Sequence, residues 1–211
     1  GSATNDAGVG MLQALGARFL DKDGAVLGKG GEILHRIAAI DFSSVHPALK
    51  DTRFTIACDV RNPFCGPEGA AYVFARQKGA DDAMIEKLDA SMQSFARLIH
   101  STTGREITHV PGAGAAGGLG GAFLAFLNAE LKPGIDLLLQ TLNFSEKIKG
   151  ADLIITGEGR TDRQSLMGKV PSGILEEAKR QGIPVIVVAG SIEDTEILNQ
   201  AGFQGVFSII P

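Results

Sequence analysis

The stretch ADLIITGEGRTDRQSLMGKVPSGILEEAKRQGIPVIVVAG, residues 151–190, decides the fold class. Ala151–Thr156 is a short apolar run that ends on a glycine loop, and 183–189 is a second run, rich in β-branched residues. A helical pattern over 172–181 separates them, another follows over 193–201, and 205–210 reads as a last strand. Strand, helix, strand, helix, strand at these spacings predicts a parallel α/β layer of the Rossmann-like, doubly wound kind. No further helical pattern follows 205–210, although a parallel sheet needs both faces covered. Apolar sheet surface is therefore expected to stay open and to support self-association.

Upstream, the character is different. Spacings of three and four predict helices over 5–16, 31–39, 69–77, 81–103, 122–130 and 135–142. Asp21-Lys22-Asp23-Gly24 predicts a hairpin turn, and Phe54–Cys58 a buried strand. The organisation expected is one domain over 1–149 and part of a second over 150–211.

Composition excludes several classes. Hydrophobic residues make up 44% of the 211 and charged residues 21%, which rules out a disordered chain. Twenty basic residues against 24 acidic give −4, with the basic ones scattered, so there is no nucleic-acid footprint. Cys58 and Cys65 form neither a disulfide framework nor a zinc signature. The longest apolar runs are too short to span a bilayer, so no membrane partner is expected and a reduced, cytoplasmic protein is. The 28 glycines point to tight turns and close backbone approaches, as in anion and nucleotide sites.

Chemistry can sit in four places. Thr156-Gly-Glu158-Gly-Arg160-Thr-Asp162-Arg-Gln164 is expected as a loop leaving the C-terminal end of a parallel strand, where open α/β sheets bind ligands. Two acids and a guanidinium there suit Mg²⁺ and anionic oxygens; the bland alternative is a solvated charged turn. Asp59, beyond the 54–58 strand, suits a metal or a substrate hydroxyl, or else an Asx turn. Ser2, Thr4, Asn5 and Asp6 suit a small carboxylate or phosphate at a helix start, or a plain cap. Lys78 reaches a phosphate or caps a helix end.

The glycine tract Gly112-Ala-Gly114-Ala-Ala-Gly117 matches a dinucleotide fingerprint by letter only. The strand before it is short, and no acid stands about 20 residues on to hold a ribose. Anion binding at the following helix start and tight helix packing both remain open. Gly168-Lys169 is not a Walker A loop, since Val170 replaces Ser/Thr. The four histidines have no metal or triad spacing.

Four stretches together resemble the two-domain bacterial glycerate kinases: GSATNDAGVGMLQALGARF (1–19), ACDVRNPFCGPEGAAYVFARQKGA (57–80), PGAGAAGGLGGAF (111–123) and ADLIITGEGRTDRQSLMGKVPSGI (151–174). Ala7 and Ala75-Arg76 depart from the family pattern. The resemblance implies an ATP- and Mg²⁺-dependent kinase that converts D-glycerate to 2-phosphoglycerate. It also implies a Rossmann-like domain, here 150–211, with an inserted α/β domain, here most of 1–149. The Ser2–Asp6 motif and the active site would then lie in the cleft between them. Family chains are longer, so this sequence looks like a central portion of one, with doubtful activity of its own.

By the same resemblance Asp59, Glu158 and Asp162 are the expected catalytic residues, with Glu158 and Asp162 on the metal. Ser2, Thr4, Asn5, Asp6, Asn62, Lys78 and Arg160 are expected at the substrate. Gly112, Gly114, Gly117, Gly118, Gly157, Gly159, Gln164 and Lys169 are expected on the nucleotide side. The rival readings are a non-catalytic module for small anions or sugar phosphates and, resting on 112–117 alone, a nicotinamide-dependent oxidoreductase.

Overall fold

The opening segment turns into helix α1 (Val9–Ala14) because Asp6 braces its start. The two carboxylate oxygens of Asp6 accept the N–H groups of Gly8 at 3.1 Å and Gly10 at 2.9 Å. Ala7 and Gly8 both take left-handed angles, φ 55° and 78°, which is why the helix begins later than the apolar spacing predicts. A computed structural model describes residues 2–161, 166 and 168–210. It divides into two compact units, Gly1–Lys132 and Pro133–Pro211.

In the first unit, β1 (Arg18–Leu20) pairs antiparallel with β2 (Ala39–Asp41). The predicted hairpin turn forms, with Asp21 Oδ1 accepting from the Asp23 and Ala25 amides, but its far arm contributes only the Leu20–Val26 bridge. A 3-10 turn covers Gly31–Arg36. Strand β3 (Thr55–Ala57) lies in a parallel pair with β4 (Glu130–Lys132) rather than buried in a larger sheet. Helix α2 (Ala70–Phe74) runs into a 3-10 turn at Arg76–Lys78. Helix α3 (Asp82–Thr103) is capped by the Asp81 carboxylate on the Met84 amide at 2.8 Å and closed by Gly104. Segment α4 (Ala115–Phe126) is kinked at its start, where Ala116, Gly117 and Gly118 take left-handed angles, and it ends short of residue 130, because Asn128 turns left-handed and the chain then enters β4.

The core of this unit gathers on α3. Ile85, Met92, Phe95 and Ile99 are buried at the predicted spacing, and Phe95 meets Phe19 edge-on at 5.9 Å. A buried acid, Asp89, ties the helix to the turn after β3. Its Oδ1 accepts the Gly66 amide and its Oδ2 the Gln93 amide group, each at 2.7 Å. Asp89→Ala strands the Gly66 donor and is expected to cost about 2–3 kcal/mol, the range for a bond to a charged group. Urea unfolding measures it, and a loss under about 1 kcal/mol would mean the turn finds another acceptor.

The second unit opens with α5 (Gly134–Thr141) and α6 (Phe144–Lys147) and continues through β5 (Ile154–Thr161), α7 (Val170–Arg180), β6 (Val185–Ile192), α8 (Thr195–Ala201) and β7 (Gly205–Ser208). The strands are parallel, as the alternation predicts, and lie in the order β5-β6-β7. Leu175 and Ala178 of α7 and Leu198 of α8 share one core with Val185 and Val187, so both helices cover the same sheet face. On the other face Ile155 and Phe207 stay 66% and 54% exposed. Residues 133–149 belong to this unit, since Ile135 packs against Gly173 of α7.

One prediction fails here. The segment from Gly157 to Thr161 is not a loop but the second half of β5, with Glu158 opposite Ala189 and Arg160 opposite Ser191. Glycine at 157 suits the ladder, because a Cβ there would press on the Val188 carbonyl at 2.5 Å.

Candidate functional site

Lys78 gathers the first motif. Its Nζ donates to Ser2 Oγ at 2.9 Å and to the Thr4 carbonyl at 2.7 Å. Burial lowers the pKa of this ammonium, with Asp6 nearby opposing the shift. Asn5, between them, donates from Nδ2 to Met92 Sδ at 3.4 Å, a weak acceptor, while its Oδ1 is buried with no partner among the described residues. An orphan acceptor of this kind costs free energy unless a ligand or water supplies a donor.

Asn5 and Lys78 line a cavity of about 380 Å³, within the usual size for small-molecule sites. Gly31 and Glu32 form another wall, and Met84, Lys87, Leu88 and Ser91 of α3 form a third. The sequence reading missed the α3 wall and Glu32. Its signal is the i, i+3, i+4, i+7 spacing of Met84, Lys87, Leu88 and Ser91, a mixed polar and apolar stripe beside the buried one. A second cavity, of about 400 Å³ in the other unit, is lined by Asp136, Glu146, Glu176 and Glu177 against Arg180 alone, and repels anions.

The other expected residues stand elsewhere. Asp6 spends both carboxylate oxygens on the start of α1, the capping alternative. Asn62 braces its own turn, its Nδ2 donating to the Glu68 carbonyl at 2.9 Å and its carbonyl accepting the Gly114 amide at 3.0 Å. Asp59 is exposed on the segment after β3. Neither Asp59 nor Asn62 lines the cavity. Cys65 is buried, and burial beside Asp89 and Glu106 pushes its thiol up to about 11, so it is no ready nucleophile.

The glycine tract is packed against protein. Gly112, Gly114, Gly117 and Gly118 are all buried. A Cβ on Gly117 would overlap the Thr4 carbonyl and stand 2.7 Å from Asn5 Cα; one on Gly118 would stand 2.8 Å from Ala7 Cα. Close packing accounts for these glycines, and the tract positions the first motif: the Ala7 amide donates to the Gly117 carbonyl at 2.9 Å.

In the second unit, Glu158 reaches its place on β5 and has one carboxylate oxygen, Oε1, buried without a partner among the described residues. Thr161, fully buried three residues on, has an Oγ1 with no partner among the described residues. Arg160 pairs with Glu193 at 2.8 Å. Gly157 and Gly159 lie exposed in the same strand, and Lys169 is exposed just before α7. Asp162 and Gln164 lie outside the described residues. Among the described residues no three His, Cys, Asp or Glu side chains converge as a metal cluster. Glu158 Oε1 nevertheless fits a cation or a proton donor, which an orphan carboxylate oxygen requires.

The model of the glycerate kinase family matches residues 1–211. The chain is 48% identical to a glycerate kinase of Halalkalibacterium halodurans over 212 residues, covering all of this chain and 56% of that protein. It is 48% identical to the glycerate 2-kinase of Escherichia coli K12, covering all of this chain and 55% of that one. A crystal structure of a protein provisionally named glycerate kinase 2, from Salmonella typhimurium LT2, superposes with a TM-score of 0.87 at 45% identity. It too is covered to 55%, with this chain covered fully. The chain thus spans about half the length of the relatives it matches.

Proposed function

The chain belongs to the glycerate kinase family, and from that premise we propose that the protein phosphorylates D-glycerate with ATP, giving 2-phosphoglycerate and ADP. The observation that carries the substrate side is the cavity with Lys78, Lys87 and the orphan Asn5 Oδ1, which suits a small hydroxylated anion. The phosphate donor belongs with Glu158 and Arg160, near the C-terminal end of a parallel strand, where such folds bind ligands. Glu158, with Asp162, would hold Mg²⁺; when bound, that ion neutralises charge on the transferring phosphoryl group. Lys78 holds the acid in place, and Asp59 is assigned to the substrate hydroxyl. We assign the parallel β5–β7 layer to a Rossmann-like domain and the first unit to the domain inserted in it.

No helix among the described residues is long and apolar enough to cross a membrane, and both cysteines are free, which supports a reduced compartment such as the cytoplasm. Coupled measurement of ADP release by the full-length protein tests the activity: release that depends on D-glycerate is expected, and none would leave a non-catalytic anion-binding module. A separate expectation concerns the open sheet face. Ile155 and Phe207 should drive the 211-residue chain to associate, and Ile155→Lys should reduce it. Light scattering showing a monomer at every concentration would refute this.

A further inference from the structure

We propose that Lys87 joins Lys78 in clamping the carboxylate of a small hydroxy acid, while Asn5 Oδ1 accepts a hydrogen bond from one of its hydroxyls. The glycerate kinase reading enters only in choosing which acid to test. Two lysines and one acid, Glu32, line the cavity. Neither lysine is paired with a carboxylate among the described residues, whereas Lys132 and Lys149 find acids at 3.2 and 2.8 Å.

Lys87 has no partner on its own helix either. Positions 83, 84, 90 and 91, the ones its side chain can reach on α3, are Ala, Met, Ala and Ser. Ser91 turns its hydroxyl proton to the Lys87 carbonyl at 2.6 Å, so it serves as no donor to a ligand. Lys87 therefore lines the cavity with no ion pair among the described residues, and Glu32 is the one acid on the wall with it.

The balance of charge selects the ligand class. Two cations and one acid line the cavity, with Asp6 a further acid near Lys78, so one negative charge is the most a ligand can bring against the two ammonium groups, while a nucleoside triphosphate brings several too many. A carboxylate accepts from both ammonium groups but has no proton for Asn5 Oδ1, so the ligand must also carry a donor, which a hydroxyl provides. Met84 and Leu88 give the carbon skeleton an apolar surface.

Calorimetric titration of the 211-residue chain tests this with three probes: D-glycerate, glycerol without the carboxylate, and propionate without the hydroxyls. D-glycerate should bind at least about tenfold more tightly than either. Lys87→Met should weaken D-glycerate by about tenfold or more, leave glycerol unchanged, and be partly rescued by Lys87→Arg. Lys87 is exposed, so the variants should fold, and circular dichroism checks that they do. Absence of D-glycerate binding by the wild-type chain, or equal binding by Lys87→Met, overturns the clamp.

In the full-length protein, Lys87→Met should raise KM for D-glycerate and not for ATP; the reverse pattern also overturns it. The two readings fail separately. Lys87-dependent binding without phosphorylation sinks the kinase and keeps the clamp. Phosphorylation with an unchanged KM in Lys87→Met does the opposite.

Discussion

Glu158→Gln is expected to lower kcat for D-glycerate phosphorylation about 10²–10³-fold while leaving the protein as stable as before, or slightly more so. The expectation starts from an imbalance in the folded chain. Glu158 stands on β5 opposite Ala189, and its Oε1 is buried with no hydrogen-bond partner among the described residues. A buried carboxylate oxygen without a partner costs free energy, and folds keep such groups where chemistry needs them. Glutamine has the same shape and removes the charge, so the fold loses an unfavourable feature. The reaction loses the group assigned to hold the metal and to meet developing charge. Activity and stability should therefore move in opposite directions. Steady-state kinetics and thermal unfolding on the same preparation decide it. Turnover close to wild type, or a fall in stability matching the fall in rate, would remove Glu158 from the site.

The elements that were legible in sequence are those whose signal is local and repeated. Helix α3 has an acidic cap at Asp81, an apolar residue every three or four positions and a glycine stop at 104, and it forms as expected. The parallel layer was legible for a similar reason, since 183–189 is too rich in β-branched residues for another state. The failures share a cause as well. At Gly157–Thr161 two glycines signal a loop, yet the ladder to β6 supplies hydrogen bonds that no local rule counts. β4 was hidden behind an apolar helix that Asn128 ends by turning left-handed.

Site residues divide along the same line. Lys78, Ser2, Thr4 and Asn5 were singled out in sequence, and the structure brings them together. Lys87 and Glu32 were not, because a cavity wall made from α3 and a 3-10 turn exists only after the chain has packed. Asp6 shows the converse. Its sequence context fits a ligand and a cap equally well, and the Gly8 and Gly10 amides at the start of α1 take both its oxygens. The glycine tract, which by letter suggests a nucleotide, is the packing surface on which Thr4 and Asn5 rest.

That last assignment carries the largest expected effect on folding. Gly117 has φ +72°, a conformation that costs an L-residue roughly 1–2 kcal/mol. A Cβ there would also overlap the Thr4 carbonyl and stand 2.7 Å from Asn5 Cα. Both are backbone atoms and cannot rotate away, so relief requires moving the Thr4–Asn5 segment, an overpacking cost of roughly 1–3 kcal/mol. Gly117→Ala should therefore destabilise the first unit by about 2–5 kcal/mol. Gly159→Ala is the control: no atom lies within 4 Å of the added Cβ and its φ is not left-handed, so its cost should stay within about 1 kcal/mol. Whatever Gly117→Ala protein folds should also show a raised KM for D-glycerate, because the displaced segment carries Asn5 Oδ1 and the Thr4 carbonyl that holds Lys78. Chemical unfolding of the two variants side by side checks the argument. Equal and small losses would mean that the tract is loose enough to admit a methyl group, and a ligand role for its glycines would reopen.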